Sequence, residues 1–215
     1  MKKPKAIVFD ADGTLLDTFE LIVAAYRHVS VTHNLKIPKP EEIRAHLGSP
    51  LREMFEAFYP GQNIEQLLST NNEFVAANTL KSEAFAGVCE LLKDLKSAGF
   101  KLAVLTSGSV TILSILEHHQ LKEFFASIVY SERVQNSKPH PEGFLLACKE
   151  CRVDPHEAIM VGDTVFDIET GKNSNCFATV AITHGFGQYD DLVSAQPDYI
   201  VQSTSELKQI LSELA

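Results

Sequence analysis

The chain has 215 residues and a formal net charge of −9, because 28 acidic side chains outnumber 19 basic ones. With 45% hydrophobic residues it is too apolar for a disordered chain, and it is long enough to bury a substantial core without disulfides. The acidic balance argues against nucleic-acid and membrane partners, because both bind basic surfaces. The acidic net charge is compatible with an anionic small-molecule substrate, provided that cations are concentrated at the binding site.

The basic start of the chain, residues 1–5, is followed by only four apolar residues before Asp10. Secretory signals need an apolar run of about 7–15 residues, so no export signal is visible. The sequence therefore predicts a soluble, cytoplasmic protein. In that compartment we expect the cysteines to be reduced thiols buried in the fold, at positions Cys89, Cys148, Cys151 and Cys176.

Short apolar runs bounded by turn residues alternate with helical stretches along most of the chain. This alternation is typical of a parallel sheet wound with helices, so we predict an α/β fold with a doubly wound parallel sheet. The predicted helices include 88–98, which Gly99 ends, and 110–119. The predicted strands are 6–9, 102–105, 127–130, 158–161, 177–182 and 199–201.

One interval, residues 18–83, shows helical periodicity and no convincing strand. A Gly48-Ser49-Pro50 break separates two of its helices. Apolar residues recur at helical spacing, as at Leu21, Ile22, Ala25 and Val29. We therefore predict an α/β core domain formed by residues 1–16 and 85–215, and an all-helical domain of residues 17–84 inserted after the first strand.

Two carboxylates, Asp10 and Asp12, follow the first predicted strand. Ligands of open α/β sheets bind outside the carboxyl ends of the strands. Two carboxylates in such a turn can divide the chemistry, one attacking or binding metal and the other exchanging protons. A calcium-binding EF-hand loop is excluded, because its glycine position holds Leu15 and its glutamate position holds Leu21. An ordinary acidic turn is the simpler alternative.

Two further segments could bind a phosphoryl group. Thr106, Ser107 and Gly108 follow the second strand and precede a helix, where a hydroxyl and free backbone N–H groups can hold an anionic oxygen. Taken alone, helix capping is the simpler explanation of the same residues. Lys138 stands before two prolines that stiffen the backbone leading into a helix, although a lone lysine is usually solvated.

The fourth segment follows another predicted strand and contains Asp163 and Asp167. A spacing of four places both carboxylates near one another on a helix, which suits a hard cation that prefers oxygen ligands. The alternative is an aspartate that only caps a helix.

Taken together and in this order, the four segments resemble the haloacid dehalogenase superfamily of phosphohydrolases. The family's DxDGT motif is matched by residues 10–14, its Thr or Ser motif by Thr106, its lysine by Lys138, and its GDxxxD motif by residues 162–167. The helical insert resembles the family's cap, and the layout is most similar to the phosphoglycolate phosphatase-like branch. The resemblance implies a Rossmann-like core and a Mg²⁺-dependent phosphatase of small phosphorylated metabolites.

The resemblance also implies roles for individual residues. Asp10 would be the nucleophile that forms a phosphoaspartyl intermediate, and Asp12 the general acid and base. Mg²⁺ would be held by Asp10, the main-chain oxygen of Asp12 and Asp163, with Asp167 supporting them. Thr106 and Lys138, together with Ser107 and Gly108, would bind the phosphoryl oxygens. The expected partner is a small phosphorylated metabolite rather than nucleic acid or membrane. The protein itself is expected to be a monomer or a homodimer.

Several alternatives remain at this stage. A sugar-phosphate mutase or an inorganic pyrophosphatase would use the same core, because cap side chains choose the leaving group. In the Gly48 loop, His46, Ser49 and Arg52 are the candidates to reach it, and Arg52 could bind a second anionic group or simply be solvated. A dehalogenase is less consistent with the sequence, because displacement of a halide needs no acid for the leaving group and Asp12 would have no role. Receiver-type signalling modules lack a large helical insert, and a non-catalytic phospho-ligand binder would not need the full acid, base, lysine and metal set.

Overall fold

The computed structural model describes residues 3–214. Its strands, in chain order, are β1 (Ala6–Phe9), β2 (Leu16–Asp17), β3 (Glu83–Ala84), β4 (Lys101–Leu105), β5 (Phe125–Val129), β6 (Ala158–Gly162), β7 (Ala178–Ile182) and β8 (Tyr199–Val201). Its α-helices are α1 (Phe19–Thr32), α2 (Pro40–Arg44), α3 (Leu51–Phe58), α4 (Ile64–Ala77), α5 (Val88–Ser97), α6 (Ile112–His118), α7 (Glu142–Cys151), α8 (Val165–Asn173), α9 (Tyr189–Ser194) and α10 (Thr204–Leu214).

Six of the strands form one parallel sheet in the order β5-β4-β1-β6-β7-β8. All six were predicted from the sequence, although β5 begins two residues earlier than expected. Strand β1 lies in the middle, where Phe9 pairs with Val104 of β4 and Val161 of β6. The carboxyl ends of these three strands therefore meet at one edge of the sheet, which is where ligands of such folds bind.

The sheet is covered on both faces, as a doubly wound fold requires. Because side chains of a strand alternate between faces, Ile7 and Phe9 pack into one apolar cluster and Ala6 and Val8 into another. Helices α5, α6 and α10 contribute to the first cluster and α7 to the second. The α/β prediction is thus confirmed.

Helices α1–α4 lie between β2 and β3 and share an apolar cluster of their own, centred on the aromatic side chains of Tyr26, Phe55 and Tyr59. The chain enters and leaves this helical segment through β2 and β3, which pair antiparallel with Leu16 opposite Ala84. The sequence did not predict this ribbon, because two-residue strands are too short to show an alternating pattern.

All four cysteines are free thiols, as predicted. Cys148 and Cys151 are buried in the core, whereas Cys89 and Cys176 are only partly buried, so the predicted burial holds fully for two of the four. Burial raises the pKa of the Cys148 thiol to about 12 and that of Cys151 to about 11. Both therefore stay protonated and unreactive at neutral pH. Across residues 3–214, every helix is too short or too polar to cross a membrane.

Candidate active site

The predicted site residues lie at the edge where β1, β4 and β6 end. Asp10, directly after β1, donates its backbone N–H to the carbonyl of Val161 at 2.8 Å. Thr106, directly after β4, donates its backbone N–H to Val129 at 2.9 Å. Asp163 follows the last residue of β6. The parallel register thus places residues from distant parts of the sequence side by side.

Lys138 occupies the centre of this edge, although it belongs to a loop. Its Nζ donates to Asp10 Oδ1 and to Asp167 Oδ1, both at 2.6 Å, and all three side chains are buried. Burial alone would lower the pKa of Lys138, but the two carboxylates outweigh it and hold the pKa above its ordinary value. Lys138 is therefore a permanent cation, and the simpler alternative of a solvated lysine does not apply.

Asp163 is completely buried and held by two donors. Thr14 Oγ1 donates to its Oδ1 at 2.8 Å, and the backbone N–H of Phe186 donates to its Oδ2 at 2.7 Å. Gly13 has a φ of +90°, and a Cβ there would come within 2.3 Å of Asp163 Oδ2. Glycine is thus required at position 13 both for its backbone conformation and for the space of this carboxylate.

Asp167 lies one turn into α8 and is fixed by the start of that helix. The backbone N–H and the hydroxyl of Thr164 donate to its Oδ2 at 3.0 and 2.7 Å. This arrangement is a capping box, which orients the other oxygen toward Lys138. A Cβ on Gly162 would lie 2.2 Å from the Asp167 side chain, which explains the small residue before Asp163.

Three buried carboxylates form a cluster suited to a metal ion. One oxygen from each of Asp10, Asp163 and Asp167 lies within 4.8 Å of the others. Burial and the neighbouring Asp167 raise the pKa of Asp163 to about 7, and burial with the nearby acids raises that of Asp10 well above its ordinary range. One lysine cannot neutralise three carboxylates, and hard oxygen donors favour Mg²⁺ or a similar cation. The residues therefore fit the expected metal.

Asp12 is separate from this cluster and faces two hydroxyls. Thr18 Oγ1 donates to its Oδ1 at 2.8 Å, and Thr106 Oγ1 donates to its Oδ2 at 3.1 Å. The backbone N–H of Gly108 in turn donates to Thr106 Oγ1 at 2.9 Å. Asp12 and Thr106 are thus brought together as the motifs predicted, whereas the contact with Thr18 has no counterpart in the sequence prediction.

A cavity of about 110 Å³ opens between this edge and the helical segment. Asp10, Asp12, Thr106 and Lys138 line it, as do Ser107 and Gly108. Ser107 has a second contact, because its hydroxyl donates to the carbonyl of Gly48 at 3.1 Å.

Arg52, which was predicted to bind substrate, is not among the residues that line this cavity. Its guanidinium pairs with Glu65 at 2.5 Å, and half of its side chain is exposed. His46 is directed to the Glu42 carbonyl at 2.8 Å and is likewise absent from the lining, whereas Ser49 lines the cavity. Helix α3 directs Arg52 along the surface, a placement that loop spacing alone does not encode.

The site also uses residues that the motifs did not assign. Thr14, Thr164 and the backbone N–H of Phe186 hold the carboxylates in place. Thr14 and Thr164 lie inside the recognised motifs, so their hydroxyls were the available signal. Phe186 acts through its backbone, which leaves no trace in side-chain patterns.

Comparison with known proteins identifies the family of the chain. The family model of haloacid dehalogenase-like hydrolases matches residues 7–181. Pyrophosphatase PpaX from Bacillus pumilus is 34% identical over 208 residues, covering 95% of both chains. The crystal structure of a predicted phosphatase from Clostridium acetobutylicum has a TM-score of 0.87 at 27% identity, covering 99% of this chain and 100% of that one.

A predicted phosphoglycolate phosphatase from Haemophilus somnus has a TM-score of 0.85 at 22% identity, covering 98% of this chain and 99% of its own. That likeness shows the fold alone. The family match spans all four motifs and the edge at which their side chains meet. The chain therefore belongs to the haloacid dehalogenase-like hydrolase family, as its motifs predicted, and is a phosphatase of that family.

Proposed function

We propose that the chain is a Mg²⁺-dependent phosphatase that hydrolyses small phosphorylated metabolites through a phosphoaspartyl intermediate on Asp10. One observation carries this proposal: a buried lysine, Asp10 of the buried carboxylate cluster and the separate carboxylate of Asp12 all border one cavity. Such a set supplies a nucleophile, a cation for phosphoryl oxygens, a metal site and an acid/base group.

In the first step Asp10 attacks phosphorus. Lys138 holds Asp10 Oδ1, and Oδ2 accepts no hydrogen bond from residues 3–214, so Oδ2 is the oxygen left for the attack. The bond between phosphorus and the leaving oxygen breaks, and Asp12 gives that oxygen a proton. In the second step Asp12 takes a proton from the water that hydrolyses the phosphoaspartate.

The hydroxyl of Thr106 has a positioning role in both steps. It receives the backbone N–H of Gly108 and donates to Asp12, so the acid/base carboxylate is oriented by a group that is itself fixed. When a phosphoryl group is bound, the Thr106 hydroxyl and the Gly108 N–H would exchange these contacts for its oxygens, beside Lys138 and the backbone N–H of Ser107. Such prearranged donors stabilise a transition state better than the ground state.

Mg²⁺ would be held by the carboxylates of Asp10 and Asp163 and the main-chain oxygen of Asp12, with Asp167 supporting them. When bound, the ion supplies positive charge that stabilises the phosphoryl oxygens in the transition state. The need is electrostatic, because two like charges about 4 Å apart repel by about 4 kcal/mol at an effective dielectric constant of about 20. A carboxylate that approaches a phosphate beside further carboxylates meets several such repulsions, which Lys138 alone does not offset.

We further propose that residues 17–84 act as a cap over a core formed by residues 1–16 and 85–215. The cavity wall opposite the strand ends comes from α1, α3 and α4, and Ser107 contacts Gly48 across it. Both connections between the two parts run through the paired strands β2 and β3, which are suited to a hinge. Closure of such a cap would exclude water from the phosphoryl transfer.

Inorganic pyrophosphate hydrolysis is the second candidate function. The observation in its favour is the 34% identity to Pyrophosphatase PpaX from Bacillus pumilus over nearly the whole chain. The core groups would serve both reactions equally, because they act on the transferred phosphoryl group and on the leaving oxygen, which both substrates have.

The test is phosphate release from 2-phosphoglycolate, pyrophosphate, hexose phosphates and nucleotides, each with Mg²⁺ or with EDTA. We expect release that needs Mg²⁺ and that is lost in Asp10→Asn. Asp190→Asn is the matched control, because Asp190 is an exposed aspartate outside the cavity lining, and this variant should retain full activity. Release that persists in Asp10→Asn or in EDTA would contradict the mechanism, and isomerised sugar phosphates without net release would indicate a mutase.

A further inference from the structure

The cavity has two chemically different walls. The wall at the strand ends carries the polar and charged groups already described. The rest of the lining, where the leaving group would lie, comes from α1, α3 and α4 of the helical segment and from α6 of the core, and it is mainly apolar. Its apolar side chains are Leu21, Ile22, Ala25, Leu51, Met54, Val75, Ile112 and Ile115.

This wall offers no charge partner for an anion. Within residues 3–214, Lys138 is the one cationic side chain of the lining, and it is already bonded to two carboxylates. Two arginines of the helical segment are engaged elsewhere: Arg52 pairs with Glu65, and the Arg44 guanidinium lies 4.0 Å from the centre of the Phe19 ring. A second anionic group on the substrate would therefore be buried without a partner, which costs several kcal/mol.

One buried amide stands among the polar residues of this lining, which also include Ser49, Ser109 and Thr111. Asn71 lines the cavity and is only 5% exposed. Its side-chain nitrogen has a single long contact, 3.4 Å to Asn72 Oδ1, and its side-chain oxygen accepts no hydrogen bond from the described residues. A buried amide is normally hydrogen-bonded, so this one is suited to a polar group of a ligand.

We infer that the substrates are phosphate monoesters of small uncharged alcohols, and that Asn71 binds a hydroxyl of the leaving group. This inference rests on the proposed phosphatase function and deepens it. The phosphorus–oxygen bond to the alcohol breaks as the Asp10–phosphorus bond forms, and the proton from Asp12 makes the leaving alcohol neutral. An apolar cavity of ~150 Å³ holds benzene, and the cavity of about 110 Å³ must hold the phosphoryl group as well, so the alcohol is limited to about four carbon atoms or fewer. Pyrophosphate and 2-phosphoglycolate have anionic leaving groups and are poor fits.

The test compares three esters whose leaving groups have the same chain length. These are butyl phosphate, 4-hydroxybutyl phosphate and 3-carboxypropyl phosphate, measured beside pyrophosphate and 2-phosphoglycolate. For the natural sequence we expect kcat/KM to be at least tenfold higher for the two uncharged leaving groups than for the three anionic ones. The hydroxybutyl ester should be the best. In Asn71→Leu, which keeps the side-chain size, the preference for hydroxybutyl over butyl phosphate should fall about tenfold.

The outcomes separate this inference from the function on which it rests. If no compound releases phosphate in an Asp10-dependent way, the proposed function itself fails and the inference falls with it. If pyrophosphate or a carboxylate ester is the preferred substrate, the phosphatase stands and the inference is overturned. An unchanged hydroxybutyl-to-butyl ratio in Asn71→Leu would overturn the role of Asn71. The comparison of charged and uncharged esters does not depend on that variant folding.

Discussion

Replacing Asp163 with asparagine should stabilise the metal-free protein at alkaline pH while abolishing metal-dependent activity. Asp163 is fully buried beside Asp167, and its pKa rises from 3.8 to about 7. A carboxyl group whose pKa is raised by folding is tolerated in the folded state mainly in its protonated form. The free energy of unfolding therefore falls as the pH rises from the pKa of the unfolded state to that of the folded state. Asparagine keeps the shape without the charge. Its oxygen can accept from the Phe186 N–H, and its amide can donate to the Thr14 hydroxyl.

The size of the effect follows from the difference of about three pH units between the two pKa values. At about 1.4 kcal/mol for each unit, the variant should gain about 4 kcal/mol in free energy of unfolding at pH 8. At pH 5 the wild-type carboxyl is mostly protonated when folded, and the same linkage leaves a gain of only about 2 kcal/mol.

Urea denaturation in EDTA at both pH values measures this difference. Mg²⁺ at pH 8 should then stabilise the wild type and have little effect on Asp163→Asn, because a ligand that binds the folded state raises its stability. An equal gain at pH 5 and pH 8 would refute the electrostatic reasoning, and so would a variant less stable than the wild type at pH 8.

Three further substitutions follow from the same geometry. Lys138→Met should remove the partner of Asp10 and Asp167, destabilise the metal-free protein at pH 8 by about 3 kcal/mol or more, and reduce kcat, as urea denaturation and steady-state kinetics would show. If Lys138→Met kept the stability and the kinetics of the wild type, Lys138 would be excluded from the site. Gly13→Ala should be destabilised and inactive, since a Cβ at a φ of +90° would meet Asp163 at 2.3 Å, and normal thermal unfolding would contradict this reading. Asp12→Asn should still be stabilised by Mg²⁺ and phosphate in thermal unfolding yet lose turnover, whereas normal turnover would disprove its acid/base role.

The sequence by itself determined the fold class and the chemical groups of the site. Buried parallel strands have continuous apolar sequences, so the six strands of the sheet were visible as apolar runs between turn residues. The positions of the carboxylates directly after β1 and β6 could also be interpreted from the sequence, because open α/β sheets bind their ligands at the carboxyl ends of strands.

Only the tertiary structure decided which side chains meet. Lys138 pairs with Asp10 across 128 residues of sequence, and the Phe186 N–H reaches Asp163 from a loop after β7. Arg52 and Asn71 both lie on helices of the inserted segment, yet Arg52 pairs on the surface while Asn71 lines the cavity. Helical periodicity fixes the spacing of side chains on each helix, but the packing of α1, α3 and α4 against the strand ends selects which of them face the cavity.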